Sequence, residues 1–233
     1  MLNNKKLVVI IPVFNEEDSI ASVIKDIPGF IDEIVVVNNG SRDRTSEIAS
    51  NAGATVLTEI DKGYGAACLK GIDYIKNKNY EIVVFLDGDF SDHPCEMGLV
   101  IDPIIKDDYD LVIGSRLLGQ REKGAMLPQA IFGNWLSCFL IRLFWGYRFS
   151  DLGPFRAITY CALQKLDMKD RNFGWTVEMQ IKAAKQKLRA IEVPVSYRKR
   201  IGISKVTGTI SGTVKASVKI LWLIFMSLNK SFK

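Results

Sequence analysis

The chain has 233 residues, 48% of them apolar and 24% charged, with a formal net charge of +5. This excludes a disordered or fibrous protein and suffices for one large α/β domain or two small ones. The basic excess suits phosphate-bearing ligands or an anionic membrane surface but is too weak to argue for nucleic acid, and no nucleic-acid motif is present.

The first half alternates short β-branched apolar runs with helical stretches. Buried strands are expected at 7–11, 34–37, 54–57, 82–86 and 111–113. Helices are expected at 16–27 after Asn15, at 45–52 after the polar turn 41–43, and at 65–76, where apolar residues recur at helical spacing. The alternation predicts a doubly wound, mostly parallel sheet with helices on both faces. The second half changes character. Residues 131–145 are bulky, apolar and aromatic, broken by Asn134 and Arg142, and strand-like runs follow at 155–158 and 189–193. The stretch 206–228 has no helix breaker except Gly208 and Gly212, and reads as a C-terminal amphipathic helix.

Cys68, Cys95, Cys138 and Cys161 show neither zinc spacing nor a disulfide framework, and no secretory signal precedes them. Reduced thiols and a cytosolic face are therefore expected. His93 is the only histidine, which argues against a histidine triad or a His-rich zinc site.

In open parallel sheets ligands bind beyond the carboxyl ends of the strands. The segments 12–17, 38–43, 62–65, 87–92 and 114–116 follow the expected strands, and each is polar or glycine-bearing, as a nucleotide site requires. The sharpest local signal is Asp87-Gly88-Asp89. Two carboxylates one residue apart at a strand end can hold a hard divalent cation through oxygen. A diphosphate completes such a shell, and the ion neutralises charge building on the leaving phosphate. Taken singly, each motif has a plainer reading. Asp87-Gly88-Asp89 could be a polar turn, 38–43 a capped type I turn, and 62–67 a loop shaped by its glycines. Arg156 could be a solvated strand residue and Glu178 a helix-surface charge.

Taken in order, the segments are more specific. They are Ile10-Ile11-Pro12-Val13-Phe14-Asn15-Glu16-Glu17, Val36-Val37-Asn38-Asn39-Gly40-Ser41-Arg42-Asp43-Arg44-Thr45, Lys62-Gly63-Tyr64-Gly65-Ala66-Ala67 and Asp87-Gly88-Asp89. Gly114-Ser115-Arg116, Asp151-Leu152-Gly153-Pro154-Phe155-Arg156-Ala157, Phe173-Gly174-Trp175-Thr176-Val177-Glu178 and Glu192-Val193-Pro194-Val195, leading to 198–205, complete the set. In this order they resemble the family 2 glycosyltransferases of the GT-A fold, and most the dolichol- or polyprenol-phosphate sugar synthases. The resemblance runs from residue 7 to about 219. It implies a GT-A domain over 1–205 followed by a C-terminal, membrane-interfacial helix over 206–233.

The resemblance also implies roles. Pro12, Phe14, Asn15 and Glu16 would border the base and ribose, with Val37 and Asn39 at the base edge and Lys62 and Gly63 near the nucleotide. Asp87, beside Gly88, would face the ribose and sugar. Asp89 would ligate Mg2+ or Mn2+, with Asp87 and Ser91 in the metal set. Arg116 would reach the donor sugar or a phosphate, and Arg156 joins it among the catalytic candidates. Arg198, Arg200 and Lys205 would close a basic lid over the diphosphate. Two departures stand out. Asn38 and Asn39 are both amides where the family often has an aspartate, which favours UDP over GDP, because an amide oxygen suits the single N–H of uracil. Gln129-Ala130-Ile131 stand where related chains often carry a basic residue before Gly133-Asn134, leaving the grip on an acceptor phosphate unassigned.

The implied reaction is inverting transfer of a hexose from a UDP- or GDP-sugar to a polyprenyl phosphate, with a soluble or saccharide hydroxyl as the alternative acceptor. A hydroxyl acceptor would need a base, for which Glu178 is the candidate; a lipid phosphate is already an anion. A sugar nucleotidyltransferase would want a glycine-rich, arginine-bearing loop after the first strand, and a nicotinamide oxidoreductase Gly-x-Gly-x-x-Gly; 12–17 is neither. A nucleotide-sugar-binding module without turnover is the reading from another class. The apolar run 220–226 is far short of the roughly twenty residues of a membrane span. The stretch 206–228 is expected to carry Ile210, Val214, Leu221 and Phe225 near one face, and 131–145 carries Phe132, Trp135, Phe139 and Trp145 with Arg142. Aromatic and basic residues together favour the headgroup boundary on the cytoplasmic face of a membrane. The alternative is packing on the domain or on another subunit.

Overall fold

Seven strands form a single sheet in this computed structural model, which describes residue 2, residues 4–202 and residues 210–229. The strands are β1 (Leu7–Val13), β2 (Glu33–Asn38), β3 (Thr55–Thr58), β4 (Ile82–Phe85), β5 (Leu111–Ser115), β6 (Arg156–Thr159) and β7 (Ala190–Pro194). Their order is β3-β2-β1-β4-β6-β5-β7, and every neighbouring pair is parallel except those of β6, which runs antiparallel to both β4 and β5. The expected doubly wound, mostly parallel sheet is thus what forms.

Eight α-helices are assigned among the described residues: α1 (Ile20–Asp26), α2 (Thr45–Asn51), α3 (Tyr64–Ile75), α4 (Met97–Asp107), α5 (Pro128–Trp145), α6 (Tyr160–Leu166), α7 (Trp175–Lys185) and α8 (Ile210–Asn229). Alternate strand residues serve two cores. Val8, Ile10, Val35, Phe85 and Ile113 face α3, α5, α6, α7 and α8, whereas Leu7, Val9, Ile11, Val36 and Val84 face α1, α2 and α4. Burial on both faces is why these strands read as continuous apolar runs rather than alternating ones.

Two local departures from the sequence reading shape the site. The first helix starts at Ile20, not at residue 16. The N–H groups of Asn15, Glu16 and Glu17 are instead captured by the side chains of Ser41, Thr45 and Asp43, and the Ser19 hydroxyl donates to the Gly88 carbonyl at 2.8 Å. The residues after β1 are therefore stitched to those after β2 and β4. Second, β6 begins where β4 ends, with Arg156 opposite both Phe85 and Ile113. This reversal brings 151–155 to the carboxyl ends of β4 and β5.

Helix α8 packs on the domain through Leu223 and Ile224, which join the α5–α7 core. Lys219 on α8 reaches the buried Asp170 at 2.9 Å. The outer face of α5 exposes Phe132, Trp135, Phe139 and Leu143, and that of α8 exposes Val218, Trp222, Phe225 and Leu228. The exposed line on α8 thus includes the expected Phe225, while Leu221 is only partly exposed; the side chains of Ile210 and Val214 lie outside the described set. Phe144 and Phe225 meet edge to face at 6.0 Å, joining the two helices. Among the described residues no helix is long and apolar enough to cross a membrane.

Candidate active site

The end of β4 presents the two carboxylates. Asp89 is buried, and its Oδ1 accepts hydrogen bonds from the Ser91 backbone at 2.9 Å and the Ser91 hydroxyl at 2.5 Å. Ser91 is therefore turned onto Asp89, shaping that carboxylate rather than offering an oxygen of its own. Asp87 keeps some exposure, but its Oδ1 is buried without a hydrogen-bond partner. Burial, and then the charge of Asp89, pushes the Asp87 carboxyl up to about 7. The Tyr64 hydroxyl is buried beside it and works against that rise as a hydrogen-bonding group that bears on Asp87. An added Cβ at Gly88 would come within 2.6 Å of Val13 Cγ1, so a side chain there would displace the Val13 side chain.

Over this edge lies 197–201. The Arg198 N–H donates to Ser91 O at 2.9 Å and the Ile201 N–H to Asp89 O at 3.0 Å. Arg200 Nη1 reaches Asp89 Oδ2 and Nη2 reaches Glu16 Oε1, each at 3.1 Å. Arg198 is committed elsewhere: Nε donates to Phe90 O at 2.6 Å and Nη2 to Asp92 O at 3.1 Å, and the guanidinium stacks on the Phe90 ring. Of the expected lid, Arg200 faces Asp89, Arg198 braces the loop beneath it, and Lys205 lies outside the described residues.

The nucleotide side is built from loops tied to one another. Asn15 adopts a left-handed φ of 53° and accepts the Arg42 N–H on Oδ1. Asn39 donates both amide hydrogens, to the carbonyls of Glu59 and Asp61, and its Oδ1 accepts the Gly63 N–H at 2.7 Å. What Asn39 has left for a base is acceptance at Oδ1. Gly63 has a φ of +147°, and a Cβ there would fall 2.0 Å from Arg171 O. The loop carrying the exposed Lys62 is thus pressed against 170–172. Phe14 is exposed beside this loop system, while Pro12 is buried. Val37 is fully buried among the β-sheet core residues and supports the site from within, not at a base edge.

Arg116 is held in a fork by Asp151, with Nε to Oδ2 at 2.8 Å, Nη2 to Oδ1 at 2.7 Å and the backbone N–H to Oδ2 at 2.8 Å. Burial alone would lower the Arg116 pKa, and the Asp151 charge and hydrogen bonds more than reverse this. Asp151 is itself set by Glu192, which accepts the N–H groups of Ser150 and Asp151. Arg156 and Glu178 have other work than the expected chemistry. Arg156 is fully buried and donates to the carbonyls of Leu152, Gly153 and Thr176, and burial draws its guanidinium down to about 10. Glu178 accepts the N–H groups of Lys169 and Asp170 and pairs with Lys182 at 2.7 Å. Both residues anchor backbone around the site.

A divalent cation fits this arrangement. Asp87 offers a buried oxygen that makes no full hydrogen bond, and Asp89 Oδ2 already faces a positive group of the chain itself. Among the described residues no three His, Cys, Asp or Glu side chains converge as a ligand cluster. The chain would contribute two carboxylates and a ligand's phosphates the rest, as is usual for Mg2+ at nucleotides.

The family model described as Glycosyl transferase family 2 matches residues 8–163. The chain belongs to this family. It is 32% identical over 220 residues to a dolichyl-phosphate hexose transferase of Haloferax volcanii, covering 92% of this chain and 93% of the relative. It is 29% identical over 214 residues to a UDP-N-acetylglucosamine–dolichyl-phosphate N-acetylglucosaminyltransferase of Methanococcus voltae, covering 82% and 85%. The structure also superposes on glucosyl-3-phosphoglycerate synthase from Mycobacterium tuberculosis, crystallised with Mn2+, UDP and phosphoglyceric acid. That match has a TM-score of 0.77 at 20% identity and covers 97% of this chain and 79% of the other. The fold of this transferase is GT-A.

Beyond the residues expected from sequence, the candidate site brings in Asp151, Glu192, Tyr64 and Asp92. All four lie in segments that the motifs already mark. What the sequence lacks is any sign that Asp151 grips Arg116 and that Asp92 is buried.

Proposed function

We propose that this transferase moves a hexose, with inversion, from a metal-bound UDP-sugar to a polyprenyl phosphate. The carrying observation is the end of β4, where Asp87 has an unpartnered buried oxygen and Asp89 faces Arg200 across 3.1 Å. Such an edge holds a cation and hands a guanidinium to the diphosphate beside it. The cation, when bound, neutralises charge on the leaving diphosphate. Asp87 and Asp89 would hold it, and Arg200 would pair with the phosphates in place of Glu16 and Asp89. Arg116, oriented by Asp151, faces the donor from the end of β5. The free acceptor capacity of Asn39 Oδ1 suits the N–H of uracil and favours UDP.

The relatives that act on dolichyl phosphate support a lipid-phosphate acceptor, as do the exposed aromatic faces of α5 and α8, which suit a membrane boundary. So does Glu178. A hydroxyl acceptor would need a free base, and both Glu178 oxygens are engaged.

The test is thermal-shift screening of UDP-glucose, UDP-N-acetylglucosamine and GDP-mannose with Mn2+, followed by mass analysis of products formed with polyprenyl phosphate. A UDP-sugar should stabilise the protein only with the metal and yield a glycosyl phospholipid. Metal-independent stabilisation, or product only on a hydroxyl acceptor, would refute the reading.

A further inference from the structure

Asp92 lies three residues beyond Asp89, and only 1% of it is exposed. Neither Oδ1 nor Oδ2 has a hydrogen-bond partner. A buried carboxylate without donors is strongly unfavourable, and an orphaned polar group in a site calls for a partner that arrives with the ligand. The side chain is near the chemistry: the charges that act on it are those of Asp87, Asp89, Arg116 and Asp151.

The neighbouring cations of the chain are spent elsewhere. Arg116 is forked onto Asp151. Arg200 bridges Asp89 and Glu16. Arg198 donates to the carbonyls of Phe90 and Asp92, not to the Asp92 carboxylate. Three kinds of ligand group remain. A phosphate would meet the negative charges of Asp87, Asp89 and Asp151, which already bear on this position. A cation bound by Asp92 together with Asp87 and Asp89 would need the three to converge, and among the described residues no such cluster forms. A sugar ring supplies what is missing: neighbouring hydroxyls that donate to the two oxygens of one carboxylate.

We infer that Asp92 accepts hydrogen bonds from hydroxyls of the donor hexose and so helps select the sugar. The inference rests on the nucleotide-sugar reading above. Asp92 is covered by the segment that carries Arg200: residue 92 forms an isolated bridge with Tyr197, and Arg198 and Ile201 donate to the carbonyls of Ser91 and Asp89. A donor whose diphosphate pairs with Arg200 would have to displace this segment, and its sugar would then meet Asp92. The carboxyl group is a burden on the fold that a sugar would relieve.

This gives an opposed pair of readouts. Asp92→Leu and Asp92→Asn should fold with melting temperatures at or above wild type. Calorimetry with Mn2+ should find the affinity for UDP alone unchanged. The affinity for the UDP-hexose that wild type binds best should fall roughly threefold to tenfold, the worth of an ordinary hydrogen bond. A ratio of UDP-hexose to UDP affinity that stays at the wild-type value would overturn the inference. So would UDP affinity falling in parallel, which would mark Asp92 as a cation or loop residue. Wild-type protein that binds UDP but gains nothing from any attached hexose would sink it as well. Wild-type protein that binds no nucleotide at all would instead overturn the donor reading, and this inference with it.

Discussion

Arg200 Nη1 stands 3.1 Å from Asp89 Oδ2, so the chain sets a cation of its own against the carboxylate expected to bind metal. The guanidinium and a divalent ion compete for that oxygen. A diphosphate resolves the competition, since it offers the guanidinium a bidentate anion while the metal takes the carboxylate. Metal and nucleotide should then bind with positive coupling.

Replacing the guanidinium separates the two effects. Arg200→Met should tighten Mn2+ binding in the absence of nucleotide, by about threefold to tenfold, because the competing charge is gone. It should also weaken the UDP-sugar complex by roughly tenfold or more, the loss of a charge-assisted contact. Calorimetric titrations with Mn2+ alone and with Mn2+ plus UDP-sugar check both signs. Both affinities moving the same way would show that Arg200 does not exchange partners.

Asp89→Asn should keep the Ser91 hydrogen bonds and lose the anionic oxygen. The expected outcome is a folded protein whose kcat/KM is down roughly a hundredfold or more, since electrostatic stabilisation of the leaving group is removed. Excess chelator should bring wild type to the same level. Turnover unaffected by chelator would remove the metal from the reaction.

The Arg116–Asp151 fork makes a prediction about acid stability. Burial raises the Asp151 carboxyl, but the Arg116 charge and hydrogen bonds outweigh it and hold the carboxyl below its ordinary value of 3.8. A depressed folded-state pKa contributes stability above the unfolded value and loses it as pH falls through the folded one. Wild type should therefore lose this contribution below about pH 4. Asp151→Asn should lose it at every pH, at a cost of about 3–5 kcal/mol for a guanidinium left buried and unpaired, and its denaturation midpoint should be flatter between pH 5 and 3. Urea melts of both proteins across that range give the comparison.

How much of this is visible in the sequence depends on the kind of signal. β1, β2, β4 and β5 announce themselves because burial on both faces leaves no polar alternation. Hydropathy carries no direction, so the reversal of β6 is not written in its apolar run, and with it the placement of Asp151 beside Arg116 is hidden. The segment 16–19 has helical composition, yet the side chains of Ser41, Asp43 and Thr45 compete for its N–H groups from 26–29 positions away. Asp87 and Asp89 are legible as a motif. Asp92 is not, because an acid in a polar turn looks the same whether it is solvated or buried. Arg156 misleads for the same reason: its donors go to carbonyls made available by the turn before β6, which no local pattern foretells.

Glu178→Gln distinguishes an anchor from a base. As an anchor, Glu178 satisfies two backbone N–H groups and the buried Lys182. The amide keeps one acceptor and removes the anion beside Lys182, which still donates to the Asp167 carbonyl at 2.6 Å, so stability should drop by about 1–3 kcal/mol. Transfer to a phosphate acceptor should persist within about tenfold at temperatures where the variant is folded. A loss of several hundredfold, with the melting temperature unchanged, would reinstate Glu178 as the base.

The last prediction concerns the outer surface of α5 and α8. On α5, Phe132, Trp135, Phe139 and Leu143 follow one another at three- and four-residue steps, and on α8 so do Val218, Trp222, Phe225 and Leu228. Each helix has already buried another face against the core, through Cys138 and Ile141 on α5 and Leu223 and Ile224 on α8. These exposed rows are therefore surplus to folding, and a patch of eight large apolar side chains is unusual on a surface meant only for water. Arg142, Arg148, Lys187 and Lys215 are exposed on or near the same helices, as an anionic headgroup layer would favour. An interfacial helix pair of this kind holds to the membrane by apolar area, with charge as the second attraction. Trp135→Ser combined with Trp222→Ser should then release the protein from anionic liposomes in co-sedimentation while leaving calorimetric UDP-sugar affinity within twofold. It should also raise KM for polyprenyl phosphate in vesicles much more than for a short-chain soluble analogue. If the double variant instead stays on the liposomes but shifts the oligomeric state seen by analytical ultracentrifugation, the face belongs to a second copy of the chain and not to a bilayer.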